Sequence, residues 1–301
     1  MTSIVVGVES TTAAERALDR ALLEGRRTGQ PVRAVRAWQT PVWVGAGMGQ
    51  AYDYDVFAAQ VSSAEAARIE GQEVIDKALT RLPDGPAVSV ELEVVEGTAG
   101  HVLVTAADKA DLLVVGSRGH GILGGALFGT TTSYVLHHCS TPVMVVPHEG
   151  TPAGAFHSVV VGLDGSAASR SALRWAHRAA KDHQCPLVVA HVWALATVPR
   201  DEHVFFDADA ETFAMKVRAW LHDEAAEVVG ADDVHTIALH GSPSRMLLSA
   251  VGPDDLLVLG SRGEGGFAGL HLGSVSSQCA RHSAGVVTVV RAGEERLADV
   301  R

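Results

Sequence analysis

The feature that most limits the fold of this sequence is an internal duplication. Residues 3–38 align without a gap with residues 158–193, at a constant spacing of 155 positions. Residues 97–146 align in the same way with residues 241–290, at a spacing of 144 positions. The first copy therefore carries eleven additional residues between its two blocks. A repeat of this length predicts two domains of the same fold.

The chain has 301 residues, enough for two domains of ordinary size. The repeats place these domains at residues 1–148 and 156–292. Residues 148–155 contain two glycines and a proline, which are typical of a linker.

Short apolar runs alternate with helical patterns in each copy. In the first copy, Ile4–Val8 is predicted as a buried strand, and Thr12 with Glu15 forms a capping-box pattern that begins a helix. Residues 39–58 are predicted as loop. Alternating strands and helices form a parallel sheet with helices on both faces. The predicted fold class is therefore α/β, with two tandem domains.

A glycine-rich loop of one spacing follows the fourth strand of each copy. Residues 116–130 and 260–274 both read G-x2-G-x9-G followed by Thr or Ser. Glycines allow backbone N–H groups to approach phosphate oxygens, and the helix N-terminus that follows favours an anion. The loops predict a polyphosphate site in each copy. A ligand-free connection is the alternative, and the repeated spacing argues against it.

Two other phosphate motifs fit this loop poorly. Gly119, Gly121 and Gly124 match the dinucleotide pattern G-x-G-x-x-G, but they follow the fourth strand and lack the later acid that binds ribose. A nicotinamide or flavin cofactor is therefore disfavoured. Gly124 and Gly129 have P-loop spacing, but Thr130 stands where the lysine is required, which excludes a P-loop.

An acid follows the first strand of each copy. Glu9 comes after Gly7, and Asp164 comes after Gly162. Ligands of open parallel sheets bind at the carboxyl ends of the strands. A carboxylate at this position could accept a hydrogen bond from a ribose hydroxyl or an adenine amine. An acid that merely precedes a helix explains the position equally well.

These patterns together resemble the nucleotide-binding branch of the universal stress protein family. The matching segments are V-V-G-[VL]-[DE], L-L-V-[VL]-G-S-R-G, G-[ST] and a closing V-x-V-V, and they occur in both copies. The resemblance implies a five-stranded parallel sheet of order 3-2-1-4-5 in each domain. It also implies that ATP binds across the first and fourth strands and that Mg²⁺ can bind with it.

The resemblance further implies which residues bind the nucleotide, with Ala37 and Val192 meeting adenine through their backbones. In the first copy the set is Gly7, Glu9, Ala37, Gly116, Ser117, Arg118, Gly119, Gly129, Thr130 and Thr131. In the second copy it is Gly162, Asp164, Val192, Gly260, Ser261, Arg262, Gly263, Gly273, Ser274 and Val275. No catalytic or metal-binding residue is implied.

The two copies depart from the family pattern in different ways. Glu9 is one methylene longer than the expected aspartate, and Glu264 places a negative charge where the first copy has His120. We therefore expect two sites of unequal affinity.

The function implied is an ATP-binding, stress-response regulatory protein with one adenine-nucleotide site in each repeat. A slow ATPase or phosphotransferase that uses the same sites is the alternative. Arg118 and Arg262 could supply positive charge, but no general base or Walker lysine is visible in the loops. A protein that has lost nucleotide and serves only in interactions is a third possibility, and the retained glycines argue against it.

Composition limits the partners and the location. The net charge of −11 disfavours binding to nucleic acid or to anionic membranes. No signal peptide or membrane-spanning run is evident, so a cytoplasmic location is expected. The three cysteines are widely spaced and fit free thiols, and the fifteen histidines show no metal-ligand spacing.

The last strand of each copy predicts how the domains associate. Pro142–Val146 and Val286–Val290 are apolar and, in the implied order, each lies at a sheet edge. Bare apolar edges associate unless they are covered, and single-domain members of the family dimerise through this strand. We expect the two copies to pair edge to edge within one chain. A homodimer of the chain and an unidentified regulatory protein are the further expected partners.

Overall fold

The structure is a computed structural model that describes most of the chain. The described residues are 3–39, 53–82, 85, 87–117, 129–149, 154–193, 207–230, 234–263 and 272–292, with backbone only at 53–62 and 207–211. The chain divides into two compact units, residues 1–149 and 150–301.

Unit 1 alternates strands and helices as the sequence predicts. Its elements are β1 (Ile4–Gly7), α1 (Thr12–Thr28), β2 (Val32–Trp38), α2 (Asp53–Arg81), β3 (Val90–Glu96), α3 (Ala99–Ala107), β4 (Leu112–Gly116), α4 (Thr130–His138) and β5 (Val143–Val146). All neighbouring strands are parallel, in the order β3-β2-β1-β4-β5. Helices α1 and α2 pack together, and so do α3 and α4.

Unit 2 repeats this arrangement. Its elements are β6 (Val159–Gly162), α5 (Ala167–His183), β7 (Leu187–Trp193), α6 (Asp207–Val229), β8 (Val234–His240), α7 (Pro243–Ser249), β9 (Leu256–Gly260), α8 (Ser274–His282) and β10 (Val286–Val290). The strands are again parallel, in the order β8-β7-β6-β9-β10. The predicted α/β fold with strand order 3-2-1-4-5 is confirmed in both units.

The apolar central strands build the core of each unit. The central residues of β1 and β4 are completely buried, and these are Val5, Val6, Leu113 and Val114. Their counterparts in β6 and β9 are at most 2% exposed. Helices cover both faces of these strands, so side chains pointing either way are removed from water. The carboxyl ends of β1 and β4, and of β6 and β9, therefore lie side by side.

Two predicted helix starts differ from the structure. The side chain of Thr11, not Thr12, caps α1, because Thr11 is extended and its hydroxyl accepts from Ala14 N at 3.3 Å. Helix α2 begins at Asp53, within the predicted loop. Residues 53–70 contain no glycine or proline, the residues that interrupt helices most strongly, whereas the glycines that favoured a loop lie earlier, at positions 45, 47 and 49.

Among the described residues, none of the helices combines the length and the apolar character that a membrane span requires.

Candidate functional site

A pocket opens in unit 2 at the carboxyl ends of β6 and β9. Its volume is about 400 Å³. Most residues that the sequence assigned to the second site line it, and these are Gly162, Asp164, Val192, Gly260, Arg262, Gly263, Gly273, Ser274 and Val275. Ser261 does not line the pocket, because it is buried and its carbonyl accepts from Gly273 N at 2.6 Å. The folding of unit 2 thus gathers four separate sequence segments around one cavity.

Sequence reasoning missed the apolar side of this pocket. The lining residues that the sequence did not predict are the apolar Leu163, Ala190, Pro243, Leu247 and Leu259 and the polar Ser169, His191 and Ser276. Pro243 and Leu247 come from α7, a helix that carries no motif. Only the packing of α7 beside β7 and α8 brings its apolar face to the cavity. Four of these residues adjoin predicted site residues in the sequence, namely Leu163, His191, Leu259 and Ser276. That adjacency is the one signal that could have identified them.

Gly263 lies against the carboxylate of Asp164. A Cβ atom on Gly263 would stand 2.4 Å from Asp164 Oδ2, far inside van der Waals contact. The other carboxylate oxygen, Oδ1, accepts from Ser166 N at 3.1 Å, which holds the side chain in place. The acid and the start of the loop therefore meet at the pocket, and the absence of a side chain at residue 263 makes this possible.

The N-terminus of α8 forms another wall of the pocket. Gly273 is the N-cap and offers no side chain to the first turn of the helix. The N–H groups of a first helical turn have no partner within their own helix and favour an anion. Ser276 Oγ lies 3.1 Å from both Ser261 O and Gly273 O, so its proton can link this turn to the start of the loop. The wall is therefore electropositive and rigidly placed.

Gly116 and Gly260 have a structural role that the sequence did not reveal. A Cβ on Gly260 would lie 2.8 Å from the backbone of both Ala168 and Ser169. A Cβ on Gly116 would lie 2.7 Å from backbone atoms of Ala13. These glycines let α1 and α5 pack directly on the fourth strand of their units. The fold therefore requires them whether or not a ligand binds.

Unit 1 places its described candidates along the same edge of its sheet. Gly7 and Gly116 end the neighbouring strands β1 and β4, and Ala37 lies near the end of β2. Gly129 N donates to Ser117 O at 3.1 Å, as at the equivalent position of unit 2. Thr130 and Thr131 begin α4, and Glu9 follows β1. Arg118 and Gly119 fall outside the described residues, as does Glu264 of unit 2.

The described lining of the pocket carries one group of each charge. Asp164 is the one carboxylate and Arg262 the one guanidinium among the lining residues in the described part of unit 2. Cys279 lies further along α8, and burial raises the pKa of its thiol to about 12, so it stays protonated at neutral pH. Within the described ranges, no three His, Cys, Asp or Glu residues come together to hold a metal ion.

Comparison with known proteins gives one consistent family. The sequence model of the universal stress protein family matches residues 1–147 and 155–291. A universal stress protein of Mycobacterium tuberculosis strain H37Rv is 30% identical over 306 residues, covering 96% of this chain and 94% of that protein. One from Mycolicibacterium smegmatis is 31% identical over 295 residues, covering 96% of both.

A solved structure agrees with the fold. The crystal structure of a universal stress protein from Archaeoglobus fulgidus DSM 4304 superposes with a TM-score of 0.65 at 18% identity. The alignment covers 97% of this chain and 98% of that one. At this identity the likeness concerns the fold alone.

Proposed function

This chain belongs to the universal stress protein family, and on that premise we propose that it is a regulatory protein that binds ATP. The observation that carries the proposal is the pocket of unit 2, where a glycine-rich loop, a helix N-terminus and a strand-end acid meet. Each unit holds one adenine-nucleotide site, and the two sites have unequal affinity.

The pocket has the size and polarity that a nucleotide needs. Its volume of about 400 Å³ falls in the range typical of small-molecule sites. Ala190, Leu247 and Leu259 supply an apolar side for a base. Arg262 and the start of α8 supply positive potential for phosphates, and Asp164 supplies an acceptor for ribose hydroxyls.

Slow hydrolysis or phosphotransfer is the alternative function. Fast phosphoryl transfer needs a positioned nucleophile or water and usually a metal held by carboxylates. The described lining of the pocket offers a single carboxylate, which supports binding rather than turnover. Phosphate release measured with and without Mg²⁺ would distinguish the two, and a turnover of several per second would contradict a purely regulatory role.

The direct test is mass spectrometry of nucleotide released from freshly purified, denatured protein. We expect ATP or ADP, and calorimetry of the nucleotide-free protein should show binding of ATP and much weaker binding of GTP. Nucleotide-free protein that binds neither at millimolar concentration would contradict the proposal.

The association of the two halves gives a separate prediction. Strands β5 and β10 each form one edge of the five-stranded sheet of their own unit. If these edges pair, Met144→Lys or Thr288→Lys should weaken association, because each lysine would desolvate a charge within an apolar strand. The measurement is co-elution of separately produced residues 1–149 and 150–301 at tens of micromolar.

Ile69→Lys is the control for this experiment, because Ile69 is exposed on α2 and should tolerate the charge. Halves that remain soluble monomers without any substitution would show that the edges do not pair.

A further inference from the structure

A hydroxyl residue begins the first helix of each unit, and it is used differently in the two units. Thr11 caps α1 by accepting from Ala14 N at 3.3 Å, and Ser166 caps α5 by accepting from Ser169 N at 3.2 Å. A hydroxyl has one proton, so each can donate one further hydrogen bond. The acceptor of that proton distinguishes the two sites.

In unit 2 the proton of Ser166 goes to the glycine-rich loop. Ser166 Oγ donates to Arg262 O at 3.2 Å. Asp164 Oδ1 accepts from the backbone N–H of the same residue, Ser166, at 3.1 Å. Arg262 lines the pocket and Ser166 does not. Ser166 therefore ties the helix cap to the start of the loop without touching the cavity.

In unit 1 the equivalent proton goes to the strand-end acid. Thr11 Oγ1 donates to Glu9 Oε1 at 2.8 Å. The extra methylene of Glu9, compared with Asp164, brings its carboxylate within reach of this hydroxyl. With its single proton given to Glu9, Thr11 has no proton left for a second acceptor.

The turns before the two helices also differ. Gly165 has φ of 87°, a left-handed conformation that favours glycine, whereas its counterpart in unit 1 is Ser10. Among the described residues, Gln184 is the one non-glycine with positive φ, so Ser10 follows another path. The left-handed turn of unit 2 allows the short Asp164 to meet Ser166 N and Gly263 together.

We propose that Ser166 is a positioning residue that holds the start of the unit 2 loop, Arg262 and Gly263, ready for ligand, and that Glu9 takes up the equivalent hydroxyl proton in unit 1. The proposal rests on the nucleotide-binding function proposed above. A loop held in its bound position loses less conformational freedom on binding, which raises affinity. Unit 2 is thus the tighter site, and Ser166 and Glu9 are the residues that set the difference.

The test uses the full-length chain with Ser166→Gly and Ser166→Thr. Glycine is a tolerated N-cap that cannot donate to Arg262 O, whereas threonine keeps the hydroxyl. We expect Ser166→Gly to speed amide hydrogen exchange in the peptide containing Arg262 and Gly263 of the unliganded protein. It should also weaken one of the two ATP-binding steps by about 3- to 10-fold, the value of one hydrogen bond. Ser166→Thr should restore both.

Hydrogen exchange tests the bond from Ser166 to Arg262, and ATP titration tests the proposed function, so the two can fail separately. Unchanged exchange at Arg262 and Gly263 in Ser166→Gly would overturn the positioning role, whatever the protein binds. Wild-type protein that binds no ATP would contradict the proposed function, while the exchange comparison would still decide whether the tie exists.

Two variants of Glu9 in unit 1 distinguish the effect of the length of its side chain from the effect of its charge. Glu9→Asp shortens the acid and should free the Thr11 hydroxyl, and adding Ser10→Gly should allow the left-handed turn. We expect the double variant to strengthen the weaker ATP-binding step by about 3- to 10-fold. Glu9→Gln keeps an acceptor oxygen at the same reach for Thr11 and should strengthen that step less than the double variant does. If Glu9→Gln strengthens binding as much, charge rather than capture of the hydroxyl explains the asymmetry.

Discussion

Gly263→Val is expected to abolish ATP binding by unit 2 while the unliganded fold survives. The new Cβ would stand 2.4 Å from Asp164 Oδ2, so the carboxylate and the start of the loop must move apart. Gly263 does not have positive φ, so the valine is excluded by lack of space and not by backbone strain. At a hundredfold excess over Kd, ATP stabilises a native protein by about 2.7 kcal/mol. The variant should lose most of a shift in Tm of about 5–10 °C.

Thermal unfolding with and without ATP measures this loss. Gly154→Val is the matched control, because among the described residues no atom beyond its chain neighbours lies within 4 Å of a Cβ at residue 154. Adding Gly119→Val, at the position the sequence assigns to the loop of unit 1, should remove any shift that remains. A double variant that binds ATP with wild-type affinity would show that the loop is not the phosphate site.

Gly260→Ala is expected to lower the free energy of unfolding of unit 2 by about 2–3 kcal/mol, with or without nucleotide. Its Cβ would approach backbone atoms of Ala168 and Ser169, and backbone cannot yield as a flexible side chain does. Gly116→Ala should have the same effect on unit 1 through Ala13. The cause in both cases is the separation of a helix from the central sheet.

Urea denaturation of the unliganded variants measures this cost, and Gly154→Ala serves as the control of unchanged stability. Gly260→Ala protein as stable as wild type would mean that α5 can shift without loss of packing. Together, Gly263 and Gly260 variants separate a glycine needed for the ligand from a glycine needed for the fold.

The sequence determined the fold because its signals are local and repeated. Apolar runs such as Leu112–Val115 indicate buried strands when helical patterns flank them, and the same pattern recurs in the second copy. One exception was the start of α2, because residues 39–58 were assigned to a loop as one polar, glycine-containing stretch although its glycines all precede Asp53. Helix formation there depends on the absence of helix-breaking residues, a weaker signal than a buried face.

The sequence also determined which segments approach the pocket, since glycine spacing and strand-end acids mark the carboxyl edge of a parallel sheet. It could not reveal that α7 supplies the apolar wall, or that Gly260 serves packing. Nor could it tell that Ser166 donates to the loop while Thr11 donates to Glu9. Apart from the local bond of Thr11 to Glu9, those facts depend on distances of a few tenths of an ångström between segments far apart in the chain. Such distances are set by how helices settle on the sheet, and only the tertiary structure decides them.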